Sequence, residues 1–204
     1  MRQFFGARRP LLGLAIIAGL GALSLILGGL QLPSLRPALG EIYVPVIASA
    51  LISVILGITC ASLLESPLTV LERTAARDLR PARAFALAAV TLPAVALCAA
   101  SALLHTDNGA LLREPGHALA ALGLSLLCLR RMPLPLAWCL VLAYALMCLV
   151  TGGALPSVSA LFLFDATGTW PRFVAAVAVW VLGGLAYVFG APRPVQVGEE
   201  HWWE

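Results

Sequence analysis

The chain has 204 residues, of which 61% are hydrophobic and only 11% charged, with a formal net charge of +3. A water-soluble domain carries about 25% charged residues, so this composition excludes an ordinary soluble enzyme, and the length leaves room for one bundle and no second folded domain. All 13 basic residues are arginine, which excludes a P-loop ATPase, whose lysine holds the phosphates, and Schiff-base chemistry, which needs a lysine amine. The same bias, with abundant alanine and glycine, points to GC-rich codons and a high-GC bacterial source.

Apolar blocks run over 11–32, 42–64, 84–104, 118–129, 134–155 and 173–190. A helix needs roughly 20 apolar residues to cross the hydrocarbon core, so the pattern predicts an all-α, polytopic bundle of about six transmembrane helices. It would form a single domain over 1–190 with a tail at 191–204. The start, Met1 to Arg9, resembles the positive end of a signal peptide, but the apolar run behind it exceeds the usual 7–15 residues. We read it as the first span. That span is thin around Gly13, Gly19, Gly21, Gly28 and Gly29.

The second block carries Ser49, Ser53, Gly57 and Ala61 at four-residue spacing. Small residues on one face let helices approach closely in lipid. This stripe is either an internal packing face or a dimer seam, with itself or with a related subunit.

The segment 65–83 follows. Ser66 and Pro67 form an N-cap and a first-turn proline. Leu68, Leu71, Ala75 and Leu79 recur at helical spacing, with Glu72, Arg73, Arg77 and Arg80 for the other face. This predicts an amphipathic helix over about 66–81, ended by Pro81. It would lie on anionic lipid or dock a partner.

The third block is clean. After it, 105–117 reads as a solvated outer loop holding His105, Asp107, Arg113, Glu114 and His117, whose spacing matches no zinc motif. No Asp, Glu, Arg or His is expected in mid-span, which argues against a proton-coupled carrier. The fourth block has only 12 uninterrupted apolar residues, about 18 Å of helix. It spans only if extended back through Pro115, Gly116 and His117. Pro133 and Pro135 interrupt the start of the fifth, so a re-entrant hairpin is the alternative there.

Between the fifth and sixth blocks, Val158, Leu161, Phe162 and Phe164 predict a short helix half-buried at the outer interface. Asp165 to Gly168 would form a turn after it, and Trp170 an interfacial anchor. The sixth block adds Gly183 and Gly184. With the N-terminus in the cytoplasm, ten arginines fall inside and only Arg36, Arg113 and Arg172 outside. That bias places both termini in the cytoplasm of a bacterial inner-membrane protein. The five cysteines, Cys60, Cys98, Cys128, Cys139 and Cys148, are isolated and apolar in setting. They read as packing residues, with no metal site, cofactor or nucleic-acid partner implied. Nucleophile, zinc-protease and paired-carboxylate motifs are absent from the sequence, so no catalytic residue is assigned.

This layout resembles the transmembrane subunit of a small six-span ABC-type exporter. The resemblance is one of topology over most of the chain, without a diagnostic motif. It implies a coupling helix at 67–80 that docks a separate ATPase, short outer helices at 158–164, and a homo- or heterodimer of such subunits. Two other classes fit the residues: a non-transporting scaffold, anchor or immunity-type protein, and a solute-capture component. The last requires polar groups converging on an outer cavity, which the linear sequence does not display.

Overall fold

The computed structural model describes residues 10–27, 29–32, 46–65, 79–104, 109–151, 163–164 and 168–190. Among them are six helices, which we number α1 (Pro10–Leu27), α2 (Ala48–Leu64), α3 (Arg80–Leu104), α4 (Ala110–Cys128), α5 (Leu134–Thr151) and α6 (Trp170–Phe189). A two-residue antiparallel ladder, β1 (Gln31–Leu32) with β2 (Val46–Ile47), joins the end of α1 to the start of α2. The chain is thus an all-helical bundle. Two of its helices, α3 and α6, are long and apolar enough to cross a membrane.

The helices run up and down. Ser24 near the end of α1 meets Ser101 near the end of α3, with 3.0 Å between their hydroxyl oxygens. At the opposite end, the Tyr187 hydroxyl of α6 donates to the Leu64 carbonyl of α2 at 3.3 Å. Arg83, at the start of α3, donates to the Gly190 carbonyl just past α6 at 3.1 Å. These contacts give the bundle two ends, one carrying Ser24, Ser101 and the start of α4, the other carrying Leu64, Arg83 and Gly190.

The central element is α4, which packs against α2, α3, α5 and α6, most extensively against α6 and α2. Glycines make these approaches possible. A Cβ on Gly57 would collide with the Ala118 carbonyl and lie 2.8 Å from the Ala121 Cβ. A Cβ on Gly123 would lie 2.6 Å from the Val179 carbonyl oxygen, and one on Gly183 would lie 2.8 Å from the Gly123 Cα. Ser49, Ser53, Gly57 and Ala61 are all buried. Gly57 therefore faces α4 within this chain.

Several expected boundaries move. The helix α4 begins at Ala110, eight residues before the apolar block, and takes in Arg113 to His117. Its 19 residues and the 18 of α5 form two helices joined by a turn at 129–133. Pro133 precedes α5 and Pro135 lies in its first turn, where a missing N–H costs no hydrogen bond. Pro81 does not end a helix at 81: Leu79 is outside any helix and Arg80 opens α3, so Pro81 sits in a first turn here too. Leu68, Leu71, Glu72, Arg73 and Arg77 lie outside the described residues. So do Val158, Leu161, Phe162 and Asp165, as well as the tail. Leu163 and Phe164, expected at the end of a short helix, form a bend.

Many large apolar side chains lie on the surface of the bundle, and several hydroxyls lie inside it. Ile26 is 77% exposed and Leu92 69%, and Phe85, Leu104, Leu136, Trp170, Val174, Leu182 and Phe189 are also exposed. Ser24, Ser49, Ser53, Thr91, Ser101 and Ser125 are buried. The hydroxyls of Thr59 and Ser62 donate to the carbonyls of Ile55 and Ile58 one turn back.

The glycine crossing sets a clear expectation. Replacing Gly183 by leucine forces α4 and α6 apart and should destabilise the purified protein by about 1–3 kcal/mol. An unfolding temperature equal to wild type in detergent would show that the two backbones do not meet.

Candidate functional site

The start of α4 places three ionisable residues on consecutive faces of the enclosed helix. Arg113 is 5% exposed, Glu114 0% and His117 3%. The solvated-loop reading of these residues is therefore wrong: all three are buried in the bundle. Helix formation about two turns earlier than the apolar block carries them inside.

Arg113 and His117 share one face of α4 with Gly116. A Cβ on Gly116 would meet the Phe173 ring at 3.5 Å, so this face looks at α6. Glu114 looks another way, within electrostatic range of Cys98 on α3. Its carboxylate oxygen Oε1 lies 3.9 Å from Arg113 Nη2, too far for a good hydrogen bond. Both Glu114 oxygens are buried without a hydrogen-bond partner among the described residues. The Ser49 hydroxyl is in the same state on the neighbouring helix α2. Close by, Cys98 Sγ donates to Ser53 Oγ at 3.5 Å. A polar seam thus runs between α1, α2, α3 and α4 at this end, from the Ser24–Ser101 pair to Glu114.

The His117 ring donates to the Ala50 carbonyl of α2. It lies tilted against the Phe164 ring, 5.6 Å between centroids. Phe164 is fully buried and meets Tyr144 of α5 edge-on at 5.7 Å. The bend at 163–164 therefore folds an aromatic plug over the end of the bundle, and the Leu163 amide donates to the Tyr144 hydroxyl at 3.5 Å.

On the α6 side a partly open cleft separates the starts of α4 and α6. Arg113, His117, Gly168, Thr169, Arg172 and Phe173 are among the residues that line it. Its enclosed space is about 10 Å³, room for about one water molecule. Gly168 has φ +53° and packs directly on the Gly109 backbone. Only glycine takes that conformation and that contact together, so it seats the start of α6 beside the start of α4. Trp170, predicted as an anchor, is exposed and stacks on Phe173.

Of the residues assigned to docking, Leu79 and Arg80 are described. Arg80 lies over the Phe189 ring at the opposite end of the bundle, 5.5 Å from its centroid. The five cysteines are free thiols. Among the described residues no three His, Cys, Asp or Glu side chains come together as a metal site.

Comparisons with protein-family models, with characterised proteins and with solved structures find no match to this chain.

The adjacent Arg113 and Glu114 make a coupled pair with a definite signature. Removing one partner leaves a buried charge uncompensated, at about 3–5 kcal/mol, whereas replacing both by apolar residues is close to neutral. Arg113→Leu alone should therefore unfold the protein more readily, and Arg113→Leu with Glu114→Leu should recover most of the loss. Additive losses in a detergent denaturation series would show that the two side chains act independently.

Proposed function

We propose that this chain is a six-span subunit of a bacterial inner-membrane transporter, with both termini in the cytoplasm. The apolar surface supports membrane insertion. Large exposed apolar side chains on α1, α3, α5 and α6 suit hydrocarbon, and the hydroxyls of Ser24, Ser53, Ser101, Thr59 and Ser62 make hydrogen bonds within the chain. The arginine bias assigns the Arg83–Gly190 end to the cytoplasm and the Arg113 end to the outside.

The observation that carries a transport role is the burial of Arg113, Glu114 and His117 in the central helix. Ionisable groups inside a span are costly and mark solute or ion pathways. A scaffold needs none. They sit about 5–11 Å from the start of α4, where a solute arriving from outside would meet them first. Power would come from a separate ATPase. The lysine-free sequence holds no P-loop, and the amphipathic pattern at 66–81 is the segment suited to docking one, as in the ABC-type exporters that the layout resembles. The stripe on α2 is taken up inside the chain at Gly57, so a second transmembrane subunit would join through another face.

The scaffold reading keeps one observation in its favour. The central helix is closed in by four neighbours, and its cleft admits about one water molecule.

Two measurements separate the readings. In a cysteine-free background, thiol reagents applied to intact cells should label cysteines placed at 105–108 and 165–167 but not at 72–78. Labelling at 72–78 from outside would reverse the orientation. In the native host, the wild-type chain should co-purify with an ATPase, and Leu71→Asp should release it while the bundle stays folded. Loss of a buried leucine anchor corresponds to about 1.5–3 kcal/mol, more than tenfold in affinity. A wild-type preparation that brings down no ATPase removes the transporter reading and leaves the scaffold.

A further inference from the structure

We infer that the Gly190 end of the bundle, at the turn between α4 and α5, docks the phosphate headgroup of an anionic phospholipid. The inference rests on the membrane reading above and adds a lipid partner to it. Three observations carry it. The first is charge. Arg80, Arg83, Arg130 and Arg131 lie at this end, and Glu65 is the one acid there among the described residues. Four guanidiniums against one carboxylate leave three positive charges in excess. The helices do not offset them. The starts of α1, α3 and α5 meet the ends of α2, α4 and α6 here, and their opposite dipole ends, about half a charge each, cancel.

The second observation is that two of these arginines are uncommitted. Arg130 and Arg131 are exposed, and among the described residues neither side chain makes an ion pair or a hydrogen bond. Their backbone is fixed all the same. The Arg130 amide donates to the Leu127 carbonyl at 3.2 Å and the Arg131 amide to the Cys128 carbonyl at 2.9 Å. The turn thus presents two consecutive guanidiniums from a held backbone. Arg83 and Arg80 are engaged by the Gly190 carbonyl and the Phe189 ring. They add to the field and are not needed as ligands.

The third is an apolar path that leads to the same place. Leu182, Leu185 and Phe189 are exposed and recur at helical spacing along α6. The stripe ends next to Gly190, where a Cβ would lie 2.5 Å from Arg130 Nη2. A phospholipid has its parts in the matching order, acyl chain, glycerol and phosphate. With the chain along α6, the phosphate arrives at the level of Arg130, whose planar guanidinium can take two oxygens of a phosphodiester. A free anion would use the charge and leave the stripe bare. The cytoplasmic leaflet, to which the arginine bias assigns this end, is the one that carries anionic lipid.

The test uses the full chain extracted from membranes in a neutral detergent. Thermal unfolding is followed as phosphatidylglycerol, phosphatidylcholine of the same acyl chains, or inorganic phosphate is titrated. Wild type is compared with Arg131→Gln and with Arg130→Gln combined with Arg131→Gln. Both positions are exposed, so neither change strands a charge in the core. An arginine at an anionic lipid surface corresponds to about fivefold in affinity. The expected result for wild type is a saturable rise in unfolding temperature with phosphatidylglycerol, at lower concentration than any rise with phosphatidylcholine. The half-maximal concentration should move up about fivefold in Arg131→Gln. In the double variant the preference for phosphatidylglycerol should disappear. The inference is overturned if the two lipids act alike on wild type, or if the double variant keeps the full preference. It is also overturned if inorganic phosphate reproduces the effect, since a lipid would then not be the occupant. Should the double variant fail to fold, an unchanged half-maximal concentration in Arg131→Gln alone overturns it. Recovery of the chain from the soluble fraction without detergent would instead remove the membrane reading, and the lipid site with it, so the two failures are told apart.

Discussion

The enclosure of α4 is the constraint from which the rest of the structure follows. Two helices pressed against it come so close that no Cβ fits at the crossings. Gly57 of α2 lies on the Ala118 carbonyl, and Gly123 of α4 lies on Gly183 of α6. In lipid there is no hydrophobic drive between helices, so close backbone contact supplies much of the adhesion. Once α4 is held on four sides, Arg113 to His117 in its first two turns are inside the bundle, whatever their polarity.

That enclosure settles where polar groups can go. Serines of α1, α2 and α3 turn inward, and two pairs cross the seam, Ser24 with Ser101 and Ser53 with Cys98. Large aliphatic and aromatic side chains turn outward on the surrounding helices. The result is a bundle with hydroxyls in its interior and large apolar side chains on its described surface. Exposed apolar area of this extent suits apolar surroundings, because in water it drives association.

Much of the fold was legible because it depends on run length. Six apolar blocks yield six helices, and the small-residue spacing on α2 pointed to a face where another backbone approaches. The candidate site was not legible, for a local reason. A helix boundary was drawn where the uninterrupted apolar run began, at Ala118, so Arg113, Glu114 and His117 fell into a loop. Pro115 lies within that stretch. In the structure the proline lies early in α4, where the carbonyl it leaves free is close to the helix end and the cost is small. One signal pointed the other way, and the sequence reading followed it only as far back as Pro115. Twelve apolar residues are too few to cross a bilayer, so a spanning α4 had to reach back through the charged residues. Gly123 was also missed, because a lone glycine in an alanine- and leucine-rich run has no spacing partner on its own helix. Its partner is Gly183, 60 residues away.

The two ends of the bundle use arginine in opposite ways, and burial is what separates them. At the Gly190 end, Arg83 donates to the Gly190 carbonyl, Arg130 packs against Gly190, and Arg80 lies over Phe189. All three gather at the C-terminus of α6, where cations offset the negative end of the helix dipole. Arg80 and Arg130 remain exposed, so solvent and ions screen them and any occupant is exchangeable. At the Arg113 end, the helix termini are N-termini, already positive, and arginine adds to that charge instead of offsetting it. Two like-signed contributions at a buried place are unfavourable unless a negative group completes them. Glu114 does so for one flank of Arg113. The cleft on the α6 side, between the starts of α4 and α6, has room for about one water molecule.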